Sequence, residues 1–284
     1  MLKWISCFVF WGFLQSVHGQ SNNSSLLWEI SGNGLKAPSY IFGTFHILCP
    51  ADFSISPTLA KTLKQTKQLY LEIDLSKPGM QLELMSLMRL NGTSLDKEIG
   101  DDFDGISTKF KDITGTPLAA FKQFKPFMGL SLLTLATVPC TEKVQPETLL
   151  MAIAKNANMD MGGLETVADQ VNAINAQPLS EQIVDLKKMV NNFDSVKAQM
   201  QSLLRVYKLN HLDSIQQFMQ SQQMTAQFEQ DLLIKRNKNW IPKIVDASNK
   251  SASFFAVGAA HLGGPHGVIA LLKEKGYQLR PLKY

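Results

Sequence analysis

The tetrad Gly-x-x-His occurs twice in this chain of 284 residues, as Gly43-Thr44-Phe45-His46 and as Gly258-Ala259-Ala260-His261. Each time it closes a short apolar run, Ser39-Tyr40-Ile41-Phe42 in one case and Ser253-Phe254-Phe255-Ala256-Val257 in the other. Runs rich in aromatic and β-branched residues that stop at glycine read as buried strands. Each histidine therefore stands just past the carboxyl end of a strand, the edge at which open α/β sheets carry ligands and catalytic groups. The surroundings repeat as well. After His46 come turn residues, a helical segment over 57–66 and a strand over 68–74; after His261 come the Gly263-Gly264-Pro265 turn, a helix over 268–275 stopped by Gly276, and a strand over 277–281. Strand, crossover helix and parallel strand connect right-handedly, so a pseudo-symmetric pairing of the two units brings both histidines to one site.

This pattern predicts an α/β protein: a central mixed β-sheet flanked by helices, built on the repeated strand-GxxH-helix-strand unit, with a helical middle region. Met1-Leu2-Lys3, the apolar stretch 4–14 and Val17-His18-Gly19 before Gln20 have the form of a secretory leader over 1–19. A polar, disordered tail is expected over 20–27, followed by a single domain over 28–284 with a helical insertion at about 80–245. Export puts the protein in a periplasmic or extracellular setting. There Cys49 and Cys140, the pair left after leader removal, are most simply a disulfide; a metal role is disfavoured because neither belongs to a CxxC pair. The apolar segment 127–138 has the length of a core helix, short of the ~20 residues a span needs, so no membrane span is expected after cleavage. A net charge of +4 without a clustered Lys/Arg stripe gives no case for nucleic acid.

Apolar residues recurring at three and four predict helices over 81–90, 146–156, 180–207, 212–222 and 226–246. Most of their Met and Leu stripes are core. Three places carry more chemistry. Glu72 and Asp74 alternate with Leu71, Ile73 and Leu75, so both carboxylates are expected on one side of their strand. Gly162-Gly163-Leu164-Glu165-Thr166 puts Glu165 in a short strand or at a helix start, with Gln170 beyond it, and Arg236-Asn237 interrupts an amphipathic helix. Imidazole plus carboxylate suits a divalent transition metal with open positions, able to activate water and polarise a carbonyl. There is no HExxH helix, so such a site has to be assembled from separate strands. His211 and His266 read as surface residues, the latter near the mouth.

In order along the chain, the strand-GTFH opening, the Tyr70-Leu71-Glu72-Ile73-Asp74 strand, Gly163-Leu164-Glu165-Thr166 with Gln170, Arg236-Asn237 and Val257-Gly258-Ala259-Ala260-His261-Leu262-Gly263 resemble the TraB/PrgY/GumN family. The resemblance spans 28–281. It implies kinship with the Tiki proteins, which look like metal-dependent proteases, and with the erythromycin esterase and ChaN-like folds. Carried over, it implies catalytic roles for His46, Glu72, Glu165, His261 and Arg236, and a divalent ion (Mn, Co or Zn) on His46, His261, Glu165 and Glu72. Gln170, Asn237, Gly43 and Gly258 would border the substrate. The expected activity is hydrolysis of a peptide or related small amide. A metal-independent His/Glu hydrolase of erythromycin-esterase type, and a protein that sequesters a peptide without turnover, are the alternatives.

Overall fold

The computed structural model describes residues 25–221 and 226–284; the leader over 1–19 and the first part of the tail lie outside the described residues. In chain order the elements are β1 (Leu27–Ser31), β2 (Ser39–Thr44), α1 (Pro57–Lys64) and β3 (Gln68–Leu71), then α2 (Met80–Leu87), α3 (Leu95–Ile99), α4 (Phe103–Thr114) and α5 (Pro126–Thr137). Next come α6 (Pro146–Asn156), β4 (Asp160–Gly163), α7 (Val167–Asn175), α8 (Leu179–Asn191), α9 (Phe193–Lys208) and α10 (Leu212–Ser221). The chain ends with α11 (Ala226–Glu229), α12 (Lys235–Lys250), β5 (Ser253–Gly258), α13 (Val268–Glu274) and β6 (Gln278–Leu282).

The six strands form one mixed sheet in the order β4-β3-β5-β2-β1-β6. β4, β3, β5 and β2 are parallel neighbours, while β1 runs antiparallel to both β2 and β6. Every residue of β2 and of β5 is buried, as expected of parallel strands covered on both faces. These two strands are adjacent, with Gly43 opposite Val257 and Thr44 opposite Gly258, so the two tetrads leave the sheet side by side. The units they open depart in opposite directions: β3 lies beyond β5, and β6 lies beyond β1. The pseudo-symmetry is thus interrupted by β1, the antiparallel partner of β2, which takes the place next to it.

Several expected boundaries move. β3 ends at Leu71, so Glu72 and Asp74 do not share a strand face. Asp74 instead caps a turn, accepting from Ser76 N–H at 3.1 Å and Ser76 Oγ–H at 2.6 Å. The periodic segment 180–207 is two helices, α8 and α9, because Asn192 at the junction leaves helical backbone (φ −122, ψ 31). Asparagine favours such a departure by offering its side chain to the local backbone, and here Nδ2 donates to the Lys188 carbonyl. The tail expected through 27 is ordered at its end: Leu26 and Leu27 are fully buried, and Ser25 Oγ donates to the Leu282 carbonyl. The middle region is mostly helical, and β4, just before Glu165, adds an edge strand to the sheet.

Three apolar clusters result among the described residues, the smallest formed by Met88, Val167 and Val171. The main core gathers Trp28, Phe42, Phe254, Phe255 and Trp240 around the sheet, while a second core of Leu95, Phe110, Leu133 and Leu186 holds α3, α4, α5 and α8 together. Among the described residues no helix is long and apolar enough to cross a membrane. Cys49 and Cys140 are disulfide-bonded, with Cα atoms 5.8 Å apart.

Candidate active site at the ends of four parallel strands

Each of the four parallel strands delivers one titratable side chain just past its carboxyl end: Glu165 after β4, Glu72 after β3, His261 after β5 and His46 after β2. The order across the sheet is therefore carboxylate, carboxylate, imidazole, imidazole. Gly258 marks where three of them meet. A β-carbon there would lie 3.3 Å from Glu72 Oε1, 3.5 Å from His46 Nε2 and 3.6 Å from His261 Cδ2, so the missing side chain leaves a small cradle between them. Its amide also works, donating to Glu72 Oε1 at 2.7 Å.

Arg236 closes the cluster from α12. A π-helical turn, Gln230–Ile234, immediately precedes it, and such irregular turns recur at functional sites. Nε and Nη2 grip Glu165 at 3.1 Å or less, Nη2 also donates to Glu72 Oε2 at 2.6 Å, and Nη1 donates to the Leu232 carbonyl at 3.0 Å and to His261 Nε2 at 3.2 Å. All five N–H groups of the guanidinium are used. The second Glu165 oxygen also accepts from Trp240 Nε1 at 3.1 Å, leaving that carboxylate saturated. Burial lifts the Glu165 carboxyl while the arginine it pairs with pulls it down and is itself raised. The bidentate geometry is that of an ionised carboxylate, and we take the pair as charged.

The tautomers of both histidines follow from their partners. Asn237 Nδ2 donates to the His266 carbonyl at 2.9 Å, which orients the amide so that Oδ1 accepts from His261 Nδ1–H at 2.7 Å. His261 is then neutral, with the Nε2 lone pair turned to the cluster. Burial pushes its pKa down to about 3, with Arg236 and His46 acting in the same direction and Glu72 against. His46 Nδ1–H donates to Glu147 Oε1 at 2.7 Å, leaving Nε2 toward the cradle. Its side chain is 69% exposed, so whatever desolvation it suffers is outweighed by the hydrogen bond to Glu147 and by the fields of Glu72 and Glu147, which raise its pKa to about 9. Glu72 is buried, which opposes its charge, yet its pKa falls to about 2. The groups that favour its charge are His261, His46, Arg236 and the Gly258 amide; because His261 is neutral above about pH 3, the fields that count at neutral pH are those of His46 and Arg236.

The residues expected to border a substrate lie inside this network. Gln170 Nε2 reaches Glu72 Oε2 at 3.4 Å, Asn237 is spent on His261, and Gly43 is buried where a β-carbon would come within 2.8 Å of Leu262 Cδ1 and 3.0 Å of Ala259 Cα. His211 and His266 are exposed, as expected. Glu147 is the member the sequence reading missed. It stands at the start of α6, where an acid ordinarily serves the helix dipole, and the one hint of its position was the cysteine pair that ties its segment to the loop after His46.

An α/β sheet carrying a buried imidazole–carboxylate–guanidinium cluster at the ends of its parallel strands is the class that fold and site define. The chain belongs to the TraB/PrgY/gumN family, whose sequence profile matches residues 26–281. It is 22% identical to the protein named Metalloprotease TIKI2 of Danio rerio, over 92% of this chain and 61% of that protein. It is 25% identical to Metalloprotease TIKI1 of Xenopus tropicalis and 22% identical to Metalloprotease TIKI1 of Homo sapiens, each over 92% of this chain and 62% of the relative. The chain thus spans less than two thirds of the length of these relatives. No solved structure matches it.

Proposed function

We propose that the protein is an exported, metal-dependent hydrolase that cleaves a peptide or related amide bond. The observation that carries this reading is the convergence of His46 Nε2, Glu72 Oε1 and His261 on the Gly258 cradle, with both Nδ1 atoms tied to acceptors behind the rings. Histidines that bind metals almost always donate their other ring N–H in this way. Two imidazoles and one carboxylate are also a donor set that catalytic first-row divalent ions take. His261 Nε2 and Glu72 Oε1 stand 3.9 Å apart, within the roughly 4 Å that two ligands with bonds near 2 Å can span. Among the described residues no three ligand side chains are already closed into a site, and Nη1 of Arg236, beside the His261 lone pair, is the group that must give way.

His46, Glu72 and His261 would hold the ion; Mn, Co or Zn suits these donors. Bound there, it would supply Lewis acidity toward a carbonyl oxygen and lower the pKa of water. Glu72, held ionised, suits ligation and is a poor proton acceptor at neutral pH. Glu165 acts as the anchor of Arg236, since both its oxygens are engaged. Arg236 in turn acts through Glu72 and His261, because it has no N–H left for a substrate carbonyl. The open side is at His46, the exposed member, and a substrate enters there. The disulfide supports export, as such bonds persist in oxidising compartments.

The charge on His46 bears on both hydrolytic readings: in the metal-free protein an imidazole with a pKa near 9 cannot accept a proton from water, and an ion must displace its Nε2 proton to bind there. The test is peptide hydrolysis by purified protein after chelation and after adding back Mn²⁺, Co²⁺ or Zn²⁺, alongside elemental analysis. Activity that returns only with an ion is expected. Full activity in stripped protein would remove the metal from the reading, and tight peptide binding without cleavage under any condition would make the protein a sequestering one.

A further inference from the structure

Glu147 belongs to no motif and lies 101 positions from His46, yet it is built into the site. An acid in the first turn of a helix is ordinarily a solvated complement to the dipole. Glu147 is only 12% exposed, and a single oxygen, Oε1, receives both Thr44 Oγ–H at 2.6 Å and His46 Nδ1–H at 2.7 Å. Thr44 is the second residue of the first tetrad, so strand end and histidine hold the same atom.

Three connections bring that atom there. The Cys49–Cys140 disulfide joins the loop after His46 to the segment before α6. Nearer the site, Leu48 and Val144 form a two-way backbone bridge, with N–H···O distances of 2.9 and 2.8 Å. Pro146 then opens α6 with its fixed φ, which sets the direction in which the next residue leaves. Cross-link, bridge and helix start tighten in order toward Glu147.

We propose that Glu147 is the positioning residue of His46: it fixes Nδ1–H and the ring direction so that Nε2 faces the cradle shared with Glu72 and His261, and the disulfide-linked segment delivers it. This rests on His46 being a site residue, as the proposed function has it. The need is physical. A 69% exposed imidazole has little packing to hold its rotamer, so its direction rests on the hydrogen bond to Glu147.

The test uses the full mature protein, with Co²⁺ as the probe metal, and two readouts. In metal-free wild type, proton NMR should show a strongly deshielded Nδ1–H, absent from both His46→Ala and Glu147→Ala. Glu147→Ala should also bind Co²⁺ about 10- to 100-fold more weakly than wild type, the usual cost of losing a group that orients a ligand histidine. Glu147→Gln, whose amide oxygen still accepts, should recover part of that loss, and it keeps the test open if the alanine variant folds poorly. Replacing both cysteines by serine should weaken Co²⁺ binding in wild type and add little to Glu147→Ala. Should wild type bind no Co²⁺, the metal reading fails while the proton signal still decides the positioning. A signal that survives in Glu147→Ala, or wild-type Co²⁺ affinity in that variant, would return Glu147 to an ordinary first-turn acid.

Discussion

His46 and His261 end adjacent parallel strands through the same four-residue device, and their surroundings are electrostatic opposites. His46 is exposed, paired with a carboxylate and raised to a pKa of about 9; His261 is buried, paired with an amide, faced by a guanidinium and lowered to about 3. The tetrad sets where each imidazole stands. What it can do is set by other elements, α6 on one side through Glu147 and α12 on the other through Arg236 and Asn237. The two glycines diverge in the same way: Gly43 admits the Ala259–Leu262 turn against β2, whereas Gly258 leaves the cradle open. A repeated backbone motif at a sheet edge thus yields two positions and two distinct chemistries in the metal-free protein, one ring accessible and charged and the other held as a neutral donor of its lone pair.

The largest effects should come from the rings themselves. His46→Ala and His261→Ala should each lose the ion and with it turnover of the cleaved peptide, because each removes one of the three side chains that would hold it. Their stabilities should differ. His261→Ala removes a ring packed 4.5 Å from Trp240 and strands the Asn237 and Arg236 partners, a cost of about 2–4 kcal/mol; His46→Ala removes an exposed ring and one hydrogen bond, about 1 kcal/mol. Urea denaturation checks both, and equal losses would erase the contrast. The acid response should belong to His261 as well. Its folded pKa is lowered, so between about 6.5 and about 3 the unfolded chain takes up a proton that the folded one refuses, and metal-stripped protein should lose stability as pH falls through that window.

The glycines come next. Gly43→Ala should cost about 1–3 kcal/mol, because its β-carbon meets Leu262 Cδ1 at 2.8 Å and the Ala259 backbone at 3.0 Å. Metal affinity per folded molecule should stay near wild type. Gly258→Ala should do the reverse. Its contacts, 3.3 Å and longer, are to side-chain atoms of the site, so the fold tolerates it while the cradle fills, and turnover should drop roughly 10- to 100-fold through misplaced groups. Thermal midpoints and Co²⁺ titration separate the two. If both variants lost stability alone, Gly258 would be a packing glycine like its counterpart.

The parts of this site legible in sequence were those written in local pattern. The two tetrads, the cysteine pair, Glu165 after its double glycine and the Arg236-Asn237 step all stand where strand-ending and helix signals put them. What escaped depends on contacts between distant segments. Strand alternation carried past Leu71 in the reading because Ile73 and Leu75 keep the period, while the backbone leaves the sheet where Asp74 begins to cap a turn. The break at Asn192 was hidden by an apolar stripe that continues in phase through both helices. Arg236 offered no sign that all its donors would be consumed within the protein, and Glu147 looked like any acid at a helix start. Charge and hydrogen-bond satisfaction are settled only once the chain has closed, so the positions of the site were readable and its division of labour was not.

The smallest effect sharpens the contrast between the histidines most narrowly. A pKa raised in the folded state contributes stability that is fully present below the unfolded value, near 6.5, and is lost as pH climbs through about 9. Metal-stripped protein should therefore weaken slightly across that interval, and the slope should vanish in His46→Ala and shrink in Glu147→Gln. Solvent reaches the ring, so the change should be only about 0–1 kcal/mol and should diminish in added salt. His261 contributes nothing here, being neutral in both states above its ordinary pKa. Urea midpoints at the two ends of the interval decide it: a slope that persists without His46 would assign the alkaline response to another group, and with it would go the claim that the exposed tetrad, alone of the two, carries a charge at neutral pH.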